Sequence, residues 1–221
     1  AYEILTCDWV QTCALPIYTP PSEKGALVMP GPGGGAEFTG GTFDPTLGYY
    51  IINTADTGQI SVLEPRGTNI ESLPPERRPR WFGPAESPLL FYHPQGPAVT
   101  VNGWPCWQPP WARLTAVNVN TGDIAWQIPF GNVEGAPPGV KTGAPLSQMG
   151  GPTTTAGGLI FIGAATDRYF RAFETKTGKE LWSVKTAELI RGANPITYMG
   201  RDGKQYVAVA AGSTLLTYKL P

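Results

Sequence analysis

Two stretches of this chain repeat one another at a fixed distance. Leu114-Thr-Ala-Val-Asn-Val-Asn-Thr-Gly-Asp-Ile-Ala-Trp126 and Phe170-Arg-Ala-Phe-Glu-Thr-Lys-Thr-Gly-Lys-Glu-Leu-Trp182 align so that Ala116/Ala172, Thr121/Thr177, Gly122/Gly178 and Trp126/Trp182 all fall 56 residues apart. A period of this size marks a supersecondary unit that buries its apolar face only against a neighbouring copy. In each copy a Thr-Gly pair sits between two short β-rich runs, where a glycine at positive φ lets a tight hairpin close with the right twist. Ahead of the second hairpin, Pro152-Thr-Thr-Thr155 and Leu159-Ile-Phe-Ile162 are split by Ala156-Gly157-Gly158, so the unit reads as four short strands. Four antiparallel strands per repeat is the blade of a β-propeller. A small residue at Ala116 or Ala172 leaves room for the adjoining blade. The tryptophan of the fourth strand then lies across the seam, burying about 150–250 Å² of ring.

The same grammar extends in both directions. Gly40-Gly-Thr-Phe-Asp44 and Tyr49-Tyr-Ile-Ile-Asn-Thr54 read as the first two strands of the earlier blade, whose hairpin arrives only after an insertion over about residues 65–110. Asn194-Pro-Ile-Thr-Tyr198, Gln205-Tyr-Val-Ala-Val-Ala210 and Thr214-Leu-Leu-Thr-Tyr218 give three strands of a last blade, expected to end in an unpaired edge unless another segment covers it, since the N-terminal strand that an intact propeller often lends would be missing here. The expected fold is therefore all-β, a partial propeller of about two to three four-stranded blades. Composition agrees: 28 glycines and 24 prolines in 221 residues, about twice the usual ~12% share, disfavour long helices.

Charge and hydropathy remove two classes of partner. Sixteen Lys and Arg against seventeen Asp and Glu leave no basic excess to neutralise phosphates, and no run approaches the ~18 apolar residues of a membrane span. Neither nucleic acid nor a bilayer is an expected partner of this segment. Cys7, Cys13 and Cys106 lack zinc-site spacing with a histidine. The insertion carries Pro74-Pro-Glu-Arg-Arg-Pro-Arg80 and the only histidine, His93; the arginines read as a solvated linker and His93 as a surface or structural residue, because a general base needs a partner. Residues 1–17, which contain Cys7-Asp-Trp-Val-Gln-Thr-Cys-Ala-Leu-Pro-Ile17, resemble translated adapter sequence of the kind found at the ends of environmental gene fragments. They are expected to be a non-native leader, with an incomplete propeller over 18–221 and a natural protein that begins upstream. The alternative is a genuine strand whose cysteines have partners.

Gly150-Gly-Pro-Thr-Thr-Thr-Ala-Gly-Gly-Leu-Ile-Phe-Ile-Gly163, Trp104-Pro-Cys-Trp-Gln-Pro-Pro-Trp-Ala-Arg-Leu-Thr-Ala116 and Pro195-Ile-Thr-Tyr198 with Gly203-Lys-Gln-Tyr-Val207, taken with the repeat, resemble the C-terminal part of pyrroloquinoline-quinone (PQQ)-dependent dehydrogenases. The likeness is greatest to the membrane-bound glucose dehydrogenase branch. The resemblance covers about Tyr18 to Leu220. It implies an eight-bladed propeller holding PQQ beside a calcium ion near its axis and oxidising an alcohol or the anomeric hydroxyl of a sugar, with electrons leaving to ubiquinone or a cytochrome in the periplasm. It also implies that the catalytic aspartate, the basic cofactor contact and the calcium ligands lie upstream of Tyr18, so no catalytic or metal-ligating residue is assigned in this chain.

The resemblance further implies a few cofactor-facing positions. Glu37 and Phe38, before Gly40-Gly41, stand where the family has an Asn-Trp or Glu-Trp pair; Phe38 keeps a flat ring and loses the indole N–H. Met149 and Gly150 form the turn leading into the next blade, and Asn194 stands at the equivalent place before the last one. Trp126 and Trp182 read as blade contacts rather than substrate platforms. Cys106 stands where the family's position implies a disulfide to an upstream cysteine. After Ala211-Gly212 the branch inserts a glycine-rich loop that is missing before Ser213, which weakens a specific expectation of glucose. A rival from another class is a non-catalytic propeller that presents a rigid surface to protein partners. Fold alone cannot separate the two, because function belongs to the site.

Overall fold

Where the chain reverses direction is set by paired threonine and glycine. In the computed structural model, which describes residues 23, 26–31, 34–65, 70–72, 89–92, 100–101, 104–137, 139–144 and 149–219, Gly122 and Gly178 have φ of 81° and 71°. The two turns are built alike. Gly122 N–H donates to Asn118 O and Gly178 N–H to Glu174 O, at 2.8 and 2.9 Å. Thr121 Oγ1 accepts from Asp123 N–H and Thr177 Oγ1 from Lys179 N–H, each at 3.2 Å. The hydroxyl thus holds an N–H that a turn would otherwise leave unpaired.

The chain divides into two compact units, residues 1–28 with 59–98, and residues 29–58 with 99–221. β1 (Ala26–Val28) belongs to the first. β2 (Thr42–Asp44) and β3 (Tyr49–Ala55) open the second. The chain then leaves for β4 (Gln59–Pro65), a 3-10 turn at Ile70–Ser72 and β5 (Leu89–Tyr92). β4 pairs antiparallel with β1 on one side and β5 on the other, forming the sheet of the first unit. A small ribbon of β6 (Thr100–Val101) and β7 (Trp104–Pro105) follows. β8 (Ala112–Asn118) and β9 (Ile124–Pro129) then complete the first blade in the order β2-β3-β8-β9. Ala55 pairs with Ala112, so the excursion departs at Asp56, ahead of β4.

The second blade is β10 (Thr153–Thr154), β11 (Leu159–Ile162), β12 (Tyr169–Glu174) and β13 (Glu180–Lys185), paired in sequence order. The last sheet is β14 (Ile196–Met199), β15 (Gln205–Ala211) and β16 (Thr214–Lys219). These are the strands expected of successive propeller blades, and Trp126 and Trp182 lie in separate sheets.

The middle strands β11 and β12 of the second blade are buried on both faces, which explains the unbroken apolar run of β11. Ile160, Ile162 and Phe173 join Ile51, Leu114 and Phe130 in the core between the first and second blades. Phe161, Phe170 and Ala172 join Val207, Val209 and Ala211 in the core between the second and the last. Period-2 alternation sends neighbours to opposite seams. At the inner strands the seams are tied by hydroxyls: Thr42 Oγ1 and Thr154 Oγ1 lie 2.9 Å apart, and Thr153 Oγ1 donates to Pro195 O at 2.6 Å.

Each tryptophan pairs across its hairpin with the conserved-spacing alanine, Ala116 with Trp126 and Ala172 with Trp182, and a bulge follows that alanine in both sheets. The small side chain leaves space for the indole, which reaches out of its own sheet. Trp126 docks on the Thr-Gly turn of the next blade: its Nε1–H donates to Thr175 O at 2.9 Å. A Cβ on Gly178 would lie 2.6 Å from Trp126 Cε3, so the glycine is required by close approach as well as by its φ. Trp182 meets Phe170 and Tyr218 edge-on, at ring separations of 5.9 and 5.2 Å, and stays 38% exposed.

Candidate functional site

Antiparallel blades have two ends, and in this chain the ends differ. One carries the tight turns at residues 45–48, 119–123, 155–158, 175–179 and 200–204. The other carries the longer connections at 34–41, 130–144, 149–152, 163–168 and 186–195. Glu37, Phe38, Met149, Gly150 and Asn194 all lie at the second end, ahead of the inner strands β2, β10 and β14.

Two asparagines draw the three blade beginnings together. Asn194 Nδ2 donates to Thr39 O at 3.1 Å while its Oδ1 accepts from Gly151 N–H at 2.8 Å. Asn53, 2% exposed within β3, donates from Nδ2 to Gly150 O at 2.9 Å. The glycine pair is needed for this approach. A Cβ on Gly151 would stand 2.7 Å from Asn194 Oδ1 and 2.8 Å from Thr39 O, and one on Gly150 would stand 3.0 Å from the Ala164 Cβ. Asn53 and Thr39 were not singled out from sequence. A buried polar residue in an alternating strand that must find a partner was the available signal.

The remaining candidates sit around this junction. Phe38 is 81% exposed, its ring projecting from the turn. Glu37 is half-buried in that turn, which is closed by Gly40 N–H donating to Glu37 O at 3.0 Å. Half-buried Met149 is tied through its carbonyl to Gly192 N–H at 2.8 Å. Its sulfur accepts from Arg191 Nε at 3.0 Å and from Nη2 at 2.8 Å. Beside this pair a cavity of about 160 Å³ is lined by Met149, Ala164, Thr166, Leu189, Ile190 and Arg191. Arg191 is a functional candidate that sequence reading passed over.

Among the described residues no three His, Cys, Asp or Glu side chains converge as a metal site would require. Several acids are committed elsewhere: Asp56 to Arg113, Asp167 and Glu180 to Arg171, and Asp202 to Lys219. Asp202 lies at the turn end. Its pKa is held below the ordinary aspartate range by the Lys204 backbone N–H and then the Tyr206 hydroxyl, and donation to Asp202 raises that of Tyr206. Cys106 is a free, exposed thiol. His93, Cys7, Cys13, the arginine-rich run and residues 1–17 lie outside the described residues. No described helix is long and apolar enough to cross a membrane.

Comparison with known proteins bears on the family to which this propeller segment is similar. Residues 6–207 match the family described as the PQQ glucose/ethanol/alcohol dehydrogenase β-propeller domain. The quinate/shikimate dehydrogenase (quinone) of Acinetobacter baylyi is 34% identical over 206 residues, 89% of this chain and 25% of that protein. The quinoprotein glucose dehydrogenase of Escherichia coli is 34% identical over 211 residues, 89% of this chain and 26% of that protein. The crystal structure of the quinohemoprotein alcohol dehydrogenase from Comamonas testosteroni superposes with a TM-score of 0.56 at 25% identity, over 85% of this chain and 24% of that one. The chain thus spans about a quarter of the length of these relatives.

Proposed function

Because the chain belongs to the PQQ-dependent dehydrogenase β-propeller family, we propose that it is the C-terminal portion of a quinoprotein dehydrogenase that oxidises a hydroxyl group of a sugar or alcohol. In this reading residues 18–221 supply an incomplete propeller, residues 1–17 are a leader foreign to it, and the protein works in the periplasm. Its electrons pass to ubiquinone or a cytochrome. The observation that carries the reading is the cross-linked junction of Thr39, Asn53, Gly150, Gly151 and Asn194, which brings the leading loops of three blades to one end of the wheel.

The residues present do not make a cofactor site by themselves. The Asn194 amide is committed to backbone on two sides, the space a side chain would take at Gly150 is filled by Ala164, and no described acidic cluster fits calcium. PQQ, which supplies the two-electron acceptor when bound, and calcium are therefore held mainly by residues outside this chain. Glu37, Phe38, Met149 and Gly150 contribute at most one wall, and Asn194 acts by positioning Gly151 and Thr39. Alone, the chain should not turn over.

The test uses the full-length protein carrying this segment, supplied with PQQ and calcium, with dye reduction followed across glucose, other sugars and simple alcohols. PQQ-dependent turnover with a subset of these hydroxyl compounds is expected. A loaded protein that reduces no dye with any of them ends the enzyme reading in favour of a scaffold.

A further inference from the structure

Arginine on a thioether is an unusual arrangement. A guanidinium has five N–H donors, and sulfur is a weak acceptor. At the loop end Arg191 places its Nε and Nη2 on Met149 Sδ, at 3.0 and 2.8 Å. It makes no ion pair with any carboxylate among the described residues. Asp167 holds Arg171, and Glu188 Oε2 accepts from Ser213 N–H at 3.2 Å. The sulfur occupies one edge of the guanidinium plane, which leaves the Nη1/Nη2 end free. That end is the geometry that takes a carboxylate with two parallel bonds.

The backbone beneath it is fixed. Ile190 is 2% exposed and packs against Gly163, where a Cβ would collide with its side chain. Gly192 N–H is bonded to Met149 O, and Gly212 N–H to Leu189 O at 3.1 Å. Arg191 is therefore a cation on a rigid support, at the wall of a cavity of about 160 Å³ whose other sides are mostly aliphatic. An apolar hollow with one convergent charge suits a small molecule that carries a carboxylate; the dehydrogenase reading adds the hydroxyl to be oxidised. It is small for a tricyclic quinone.

We propose that Arg191 anchors the carboxylate of a hydroxy acid, making it the residue that selects an acidic substrate over a neutral polyol. The inference rests on the dehydrogenase reading for its consequence in turnover and stands apart from it as binding. Met149 is a positioning residue that orients the guanidinium. A carboxylate could also come from PQQ itself, so the experiment separates the two sources.

The first arm uses the full-length protein, free of PQQ and carrying 15N-labelled arginine. The Arg191 Nε signal, assigned by its loss in Arg191→Lys, should shift saturably with quinate and stay in place with methyl quinate, which is the same ring without the charge. A signal unmoved by quinate, or moved equally by the ester, overturns the proposal. The second arm uses the full-length protein with PQQ. Arg191→Gln should raise KM for the acid by about 10–100-fold, the range of one charge-assisted contact, with kcat and the KM for a neutral polyol within about twofold. Arg191→Lys should recover part of the loss. Equal losses on both substrates, or a weakened affinity for PQQ with unchanged acid preference, overturn it in favour of a structural or a cofactor contact. If the full-length protein oxidises nothing, the dehydrogenase reading fails and the first arm still decides the binding site.

Discussion

Gly122 and Gly178 occupy the same place in the repeat and have nearly the same φ, 81° and 71°, yet their surroundings differ. Around Gly122 nothing lies within 4 Å of where a Cβ would sit. At Gly178 the benzo edge of Trp126 stands 2.6–3.0 Å away. Gly122→Ala should therefore lose only the left-handed backbone preference, about 1–2 kcal/mol. Gly178→Ala should lose that and also overpack the seam, by a further ~1–3 kcal/mol. The expected difference of about 1–3 kcal/mol is a difference in seam packing alone, because the backbone term is shared. Urea unfolding of the two variants in dilute solution, followed by tryptophan fluorescence at a common m-value, measures it. Trp126→Phe completes a double-mutant cycle. The smaller ring relieves the contact, so its coupling to Gly178→Ala should be at least ~1 kcal/mol and its coupling to Gly122→Ala near zero. Equal losses for the two alanines, or additive behaviour of Trp126→Phe with Gly178→Ala, would refute the docking of the indole on the turn.

Three other outcomes follow from the same structure. Arg171 and Asp167 form a pair with side chains 9% and 10% exposed, and Asp167 also accepts from Asn132 N–H at 2.9 Å; Arg171→Leu, which strands the carboxylate, should lower stability by about 3–5 kcal/mol, with much of it regained in the Asp167→Leu/Arg171→Leu double variant. Asp202 has a lowered pKa in the folded chain, so its contribution to the β14–β15 hairpin is complete above the ordinary aspartate pKa and fades as pH falls through the lowered value; Asp202→Asn should flatten that acid limb, read by hydrogen exchange at Lys204 and Tyr206. The flank of the last sheet turned away from the second blade exposes Ile196 (61%), Tyr198 (43%) and Leu215 (70%), an apolar face that should make the isolated chain self-associate; light scattering showing a compact monomer at every concentration would count against this.

How much could be read in advance depended on the range over which each feature is determined. Strand order within a blade is local. A Thr-Gly turn and a 56-residue offset were sufficient to place β8, β9, β12 and β13. The excursion was harder, because Gln59–Pro65 has the composition of a strand and is one; its partners β1 and β5 lie outside the blade grammar, and only the Ala55–Ala112 register shows that the blade has already been left.

Contacts across seams were the least legible, since they join positions with no shared period. Asn194 reaches Thr39 across 155 residues and Asn53 reaches Gly150 across 97. Sequence could mark Asn194 and Gly150 separately as blade beginnings, but the hydrogen bonds that unite them depend on how two sheets twist against each other. Arg191 and Met149 are the extreme case. Neither belongs to a motif that demands the other, and an arginine between an aliphatic residue and a glycine reads as surface charge; only the fold shows its guanidinium on Met149 Sδ and in no ion pair among the described residues. Its candidacy arises from what the seam withholds. A cation that the fold holds in place, with no ion pair to a carboxylate among the described residues, is most simply explained by an anion that arrives.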